Sequence, residues 1–156
     1  MVAGRAPYVA VVGPGESRPD EIAAAEEVGR GLAEAGAVIV CGGLGGVMAA
    51  ACRGAGSAGG TTIGILPGLD RAAANQWVTV AVATGIGELR NGLIVRSADA
   101  LVAIGGAETS FGTLSEIALA RRTGLPVICL GSWEIEGVEL ADSPKDAVRR
   151  ALELAR

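Results

Sequence analysis

Apolar positions along this chain follow two rhythms in turn. Tyr8 to Val12 is a short apolar run rich in β-branched residues and closed by Gly13-Pro14-Gly15, the pattern of a strand and its turn. Ser17, with Pro19 and Asp20 behind it, reads as a helix N-cap, and Ile22, Ala25, Val28, Leu32 and Ala35 then recur near the 3.6-residue period until Gly36. The alternation repeats. Strands are predicted at Ala37 to Cys41, Thr61 to Leu66, Trp77 to Val82, Leu101 to Ile104 and Pro126 to Leu130. Helices are predicted at Val47 to Ala55, after Thr84-Gly85-Ile86-Gly87, from the loop following Ile104 up to Gly124, and behind the Ser143-Pro144-x-Asp146 cap. The helix at Val47 is almost wholly small and apolar, so another layer or a second subunit must cover it. Gly68 to Gln76 reads as a polar loop, and Trp133 to Leu140 as either a loop or an edge strand. Strands and helices at this spacing predict an α/β, single Rossmann-like domain over residues 1–156, with a parallel sheet of about six or seven strands and helices on both faces.

Composition narrows the chemistry. Half of the 156 residues are hydrophobic but only 3% are aromatic, so Val, Ile, Leu and Ala with close glycine contacts must build the core. The net charge is −4 with no basic run, so no polymeric nucleic acid is expected as partner. Three cysteines, Cys41, Cys52 and Cys129, form no C-x-x-C pair and suit a reducing, cytoplasmic setting. With no histidine, His-based metal sites and Ser-His or Cys-His nucleophiles are excluded, and no metal site is expected. The sole lysine, Lys145, lies before the last helix, a poor place for a pyridoxal phosphate Schiff base. Arg5 precedes an apolar run that Gly13-Pro14-Gly15 cuts short, so no export is expected. The uncharged span Ala35 to Cys52 is divided by Gly42-Gly43-Leu44-Gly45-Gly46, and no membrane partner is expected.

In a parallel sheet the loops after the strands share one edge, where ligands bind. Gly13-Pro14-Gly15, Gly42 to Gly46, Thr84 to Gly87 and Gly105 to Gly112 are thereby predicted to converge on one anion-binding crevice, a short distance from the carboxylate of Glu116. The one full G-x-G-x-x-G, at Gly54, Gly56 and Gly59, leaves a helix and precedes a strand, the reverse of a dinucleotide fingerprint. Gly13-x-Gly15 and Gly43-x-Gly45 have the right context but carry Arg18 and Met48 where the third glycine belongs. Neither a P-loop nor a G-x-S-x-G elbow is present. Glu116 has two readings: Thr113-x-x-Glu116 as a helix capping box, or a catalytic carboxylate. Arg90, near a helix start where it opposes the macrodipole, is either a ligand contact or a solvated side chain. Phe111 either stacks on a base or anchors its loop.

Taken together, Cys41 to Ala50 (C-G-G-L-G-G-V-M-A-A), Gly59-Gly60 before T-T-I-G-I-L-P-G, Arg90-Asn91, and Gly105-Gly106 with Gly112-Thr113-Leu114-Ser115-Glu116 resemble the LOG-like superfamily of Rossmann-type proteins. The likeness runs from about Val9 to Leu130 and is nearest the small branch that includes molybdenum cofactor carrier proteins. Better understood members hydrolyse the N-glycosidic bond of cytokinin riboside monophosphates; others carry the label "lysine decarboxylase", which a chain with one lysine does not support. The predicted ligand-binding set is Gly13, Gly15, Gly42, Gly43, Gly45, Gly46, Met48, Asn91, Gly105, Gly106, Gly112 and Thr113, and the resemblance implies that Gly112, Thr113 and the backbone of Gly42 to Gly46 hold phosphate while Arg90 and Glu116 flank the ribose. Asn91 stands where the hydrolases carry lysine, Ile104 replaces a proline, and Ala107 to Phe111 lengthens the loop between Gly-Gly and Gly-Thr.

Three functions follow in order. The first is binding of a phosphorylated nucleotide or nucleotide-like cofactor (nucleotide, phosphate or molybdenum cofactor, none obligatory) by a homo-oligomeric carrier or sensor. The second is a nucleoside 5′-monophosphate phosphoribohydrolase using Arg90 and Glu116. The third is a purely structural oligomeric domain.

Overall fold

A computed structural model describes residues 4–155. Seven strands, β1 (Tyr8–Val12), β2 (Val38–Cys41), β3 (Thr62–Leu66), β4 (Val80–Ala83), β5 (Ala100–Ile104), β6 (Val127–Leu130) and β7 (Glu139–Leu140), form one parallel sheet in the order β4-β3-β2-β1-β5-β6-β7. Helices α1 (Pro19–Glu34), α2 (Val47–Ser57) and α5 (Pro144–Leu154) cover one face, and α3 (Arg90–Arg96) and α4 (Phe111–Thr123) the other. The period-2 alternation of a strand divides β1 between the two cores. Val9 and Val11 pack with α1, α2 and α5, whereas Ala10 and Val12 pack with α3 and α4. The α/β Rossmann-like fold read from the sequence is the fold observed, and strand order reverses between β1 and β5.

Several local expectations are corrected. Ser17 does not cap α1, whose N-cap is Arg18; its hydroxyl donates to Pro14 O (2.6 Å) and accepts from the Val47 N–H (3.2 Å), so it caps α2 from thirty residues away. The fourth strand begins at Val80, because Asn75 turns the preceding chain by accepting from the Trp77 N–H and donating to the Leu44 carbonyl. A 3-10 turn at Arg71–Ala73 interrupts the polar loop. The stretch from Trp133 to Leu140 is a loop that ends in the two-residue edge strand β7.

The apolar α2 is covered from within the chain, so its burial does not call for a second subunit. A Cβ added at Gly29 of α1 would lie 2.1 Å from Ala51 O, and one at Gly54 of α2 would lie 2.0 Å from Glu26 O, so the helices touch backbone to backbone. Gly54 of the reversed G-x-G-x-x-G is thus a helix-packing residue. All three cysteines are buried free thiols, with Cys41 and Cys52 Sγ atoms 3.5 Å apart. No helix among the described residues is long and apolar enough to cross a membrane.

The two glycines of α2 behave oppositely under substitution. Gly54→Ala forces backbone apart and is expected to destabilise the protein by roughly 1–3 kcal/mol. A Cβ at Gly56 meets nothing within 4 Å, so Gly56→Ala is expected to stabilise by about 0.5–1 kcal/mol through lost unfolded-state entropy. Urea midpoints of the two variants check the contrast.

Candidate functional site

At the reversal between β1 and β5 the two following loops diverge, and a cavity of about 250 Å³ opens at the carboxyl edge of the sheet. Val12, Gly13 and Gly15 line it from the end of β1 and the loop after it, Gly42 and Leu44 from the loop after β2, Met48 from α2, Arg90 and Asn91 from α3, and Ser110, Gly112, Thr113 and Glu116 from the cap and first turns of α4.

The walls are fixed by contacts that leave no room for side chains. A Cβ at Gly13 would lie 2.4 Å from Ile104 O and 2.6 Å from Val47 Cγ1, so β1, β5 and α2 meet there. Gly46, at φ +61°, faces the Pro14 and Gly15 carbonyls, where a Cβ would come within 2.3 and 2.5 Å. Behind the loop after β5 stands Glu21 of α1, 8% exposed, whose carboxylate accepts from the Gly106 N–H (2.9 Å) and the Arg18 N–H (2.9 Å). A Cβ on Gly105 would lie 2.0 Å from that carboxylate, so Glu21 requires a glycine next to the one whose N–H it accepts. Gly43, Gly45, Gly46, Gly105 and Gly106 accordingly shape the walls without lining the cavity, and the Thr84 to Gly87 turn contributes only through the helix it starts.

Arg90 opens α3 and is braced by the sheet. Its Nε donates to Ile65 O (2.9 Å), Nη1 to Asn91 Oδ1 and Nη2 to Gly42 O (3.5 Å). A guanidinium has five N–H donors, so two remain for a ligand. Asn91, 6% exposed, passes the brace on: its amide donates to Ser115 Oγ (3.0 Å), which donates to Gly112 O (2.6 Å). The asparagine that stands in place of lysine therefore ties the arginine to the first turn of α4. A Cβ at Gly42 would lie 2.7 Å from both Arg90 Nη2 and Met48 Sδ, so that glycine makes space for the guanidinium.

At α4 the cap is Ser110, whose hydroxyl accepts from the Thr113 N–H (3.3 Å). The capping-box reading of Thr113 and Glu116 is therefore corrected. Glu116 sits in the second turn, lines the cavity, is 7% exposed, and has no hydrogen-bond partner among the described residues. Burial pushes its carboxyl up to about 8, with Arg90 pulling the other way. At neutral pH it is mostly the neutral acid.

The lengthened loop folds into a tight turn, with the Thr109 and Ser110 N–H groups on Gly106 O and Glu108 at φ +64°. Trp133 Nε1 donates to Ser110 O (2.9 Å), and Phe111, 71% exposed, stands 5.7 Å from the Trp133 ring. Glu21, Ser110, Leu44 and Val12 were missed as site residues by sequence reasoning. For Glu21 the signal was present, because it stands three residues after the true cap, Arg18.

The chain matches the SLOG cluster4 family over residues 6–154. It is 40% identical over 141 residues to a protein of Archaeoglobus fulgidus, covering 90% of this chain and 91% of that one. Among solved structures it is similar to the molybdenum cofactor binding protein of Rippkaea orientalis, at 34% identity and TM-score 0.90, covering 99% and 100% of the two chains. It is also similar to the molybdenum cofactor carrier protein of Chlamydomonas reinhardtii, at 32% identity and TM-score 0.87, covering 96% and 98%.

The folded form holds the Glu116 proton to a higher pH than the unfolded chain does. Its contribution is therefore nil below about pH 4.5, grows less favourable as pH rises toward 8, and is constant above. Relative to wild type, Glu116→Gln is expected to gain stability across that window at up to about 1.4 kcal/mol per pH unit. Paired denaturation curves at pH 5, 7 and 9 measure it; a constant difference between the two proteins would contradict the assignment.

Proposed function

The chain belongs to the SLOG cluster4 family, and we propose that it binds a small phosphorylated cofactor of the molybdenum cofactor type at the β1/β5 cavity. The observation that carries this is the joining, in one cavity, of a braced Arg90 with the first turn of α4 and the glycine loop that precedes α2. The Phe111 and Gly112 N–H groups have no acceptor within the protein among the described residues, and they open α4, where the helix dipole favours an anion. Gly112 and Thr113 would take a phosphate monoester, with Arg90 supplying charge and the Gly42 to Gly46 loop the opposite wall. The similarity to molybdenum cofactor binding and carrier proteins supports a pterin-type ligand over a simple nucleotide.

The residues present fit such a cargo. Among the described residues no group of three His, Cys, Asp or Glu side chains is placed to hold a metal, and no cysteine lines the cavity. The metal would therefore stay on the cofactor's own sulfur ligands while the protein holds its anionic end. A chain of net charge −4 with three free buried thiols suits a small ligand in the cytoplasm.

One observation favours a second reading: Glu116 and Arg90 do line the same cavity. As a phosphoribohydrolase the protein would add water across the bond from C1′ to the base nitrogen, giving ribose 5-phosphate and free base, with ionised Glu116 orienting the water. Since burial keeps that carboxyl protonated at neutral pH, such activity would rise as pH passes through about 8.

Self-association belongs to the proposal, but away from α2. Leu89, Leu93 and Leu119 line a groove of about 640 Å³ between α3 and α4, and Leu89 is 77% exposed. An exposed apolar groove of this kind can meet its own copy across a two-fold axis. The β4 residues Val80 and Val82, half-exposed beside Ile63 and Ile65, widen the same apolar face.

Three experiments test these readings. Molybdenum cofactor, AMP and inorganic phosphate are titrated against the melting temperature, where a ligand at 100 times its Kd adds about 2.7 kcal/mol. Molybdenum cofactor is expected to raise it most, Arg90→Ala to cut the gain, and no gain from any of them would sink the binding reading. The nucleotide samples are assayed for free base at pH 7 and 9; release above a Glu116→Ala control would favour the hydrolase. For assembly, light scattering at micromolar concentration is expected to show a dimer or larger for wild type and a monomer for Leu89→Glu. A monomeric wild type contradicts it.

A further inference from the structure

Glu116 differs from the other buried polar side chains around the cavity. Glu21 is fully engaged by two backbone N–H groups, Asn91 by Arg90 and Ser115, and Thr113 by the Ser110 hydroxyl at 2.7 Å. Glu116 alone of this set lines the cavity with nothing to bond to. A buried carboxyl without a partner sheds its charge by holding a proton, and then has one O–H to donate.

Its surroundings offer no internal use for that donor. From α3 it faces Arg90, which is a donor only, with three of its five N–H groups on the Ile65, Asn91 and Gly42 oxygens. The Cys41 thiol of β2 is turned to the α2 side of the sheet, where it is engaged with Cys52 and the Gly43 N–H, and offers Glu116 no acceptor. The loop after β1, Leu44 and Met48 bring no ionisable side chain to the cavity. An O–H donor, the two free N–H groups of Arg90 and the backbone N–H groups at the start of α4 all require acceptors.

We infer that Glu116 acts in its protonated form as a hydrogen-bond donor to an oxyanion of the ligand, so that the site takes up its anion with a proton and releases it as that proton is lost. This rests on the ligand reading above and assigns Glu116 a role in holding the ligand, in place of a water-activating base. The class of group it selects is one with a bare acceptor oxygen beside Arg90, such as a phosphate monoester oxygen. A ligand presenting an N–H or O–H there would instead favour the ionised carboxylate.

Sulfate is the probe, because it stays a dianion from pH 6 to 9.5 and its own titration cannot mimic that of the protein. Half-saturating concentrations are read from melting-temperature shifts at ionic strength matched with chloride. For wild type, sulfate affinity is expected to fall between pH 7 and 9.5, approaching about tenfold per pH unit once Glu116 titrates. Glu116→Gln, which keeps a donor and cannot ionise, is expected to give a flat profile, and Glu116→Ala weaker binding at pH 6.5. A flat wild-type profile, the same slope in Glu116→Gln, or tighter binding above pH 8 would overturn the inference while leaving the anion site standing. Absence of sulfate binding at every pH in all three proteins would overturn the anion site and this inference together.

Discussion

The structure depends on one steric condition: at the place where the strand order reverses, backbones must approach closely enough that no Cβ fits between them. Gly13 lies between the Ile104 carbonyl and Val47, Gly46 against the carbonyls of Pro14 and Gly15, and Gly105 against the carboxylate of Glu21. These contacts join β1, β5, α1 and α2 around one opening. A side chain at any of them would push the elements apart, and the opening would lose its depth and the aim of its donors. The close α1–α2 packing at Gly29 and Gly54 extends the same condition to the back of the site, since it sets where α2 begins.

Within that frame the charged groups are held at different tensions. Glu21 is a structural carboxylate: two N–H donors satisfy it, and it turns the loop after β5 so that α4 starts over the cavity. Arg90 is intermediate, braced on one side by oxygens of β3, α3 and the loop after β2, with donors left on the other. The network running from Arg90 through Asn91 and Ser115 to Gly112 makes the cation and the α4 N-terminus one rigid receptor. Such preorganisation lowers the ordering cost when a ligand arrives.

Much of this was legible in the chain because the signals were local. The strand and helix rhythm gave the fold, and the glycine-rich turns gave the edge at which a cavity opens. What could not be read was long-range. Ser17 looked like the cap of the helix beside it, yet it serves α2, because the turn at Gly13-Pro14-Gly15 folds it back over Val47. The α2 sequence called for cover but did not say that the glycine-bearing face of α1 provides it. Thr113-x-x-Glu116 has the spacing of a capping box, but Ser110 at the end of the lengthened loop takes the cap and leaves Glu116 a turn deeper. The turn from Gly106 to Ser110 that puts this cap in place thus also frees the carboxyl from a capping role.

The resulting arrangement is costly to the apo protein. Burying a carboxyl without a partner works against folding, and glutamine at the same place would carry no ionisation penalty. Local consistency holds elsewhere around the cavity, where each buried polar side chain has its hydrogen bonds. A departure from it at the floor of an opening already furnished with unspent donors is therefore informative. An acid that nothing in the protein satisfies, beside an arginine satisfied on only one side, gives both groups a use when an oxyanion lies between them. Each alone has an ordinary structural explanation, the helix cap for Glu116 and the solvated face for Arg90. The geometry removes the first by assigning the cap to Ser110 and the second by tying the guanidinium to the sheet.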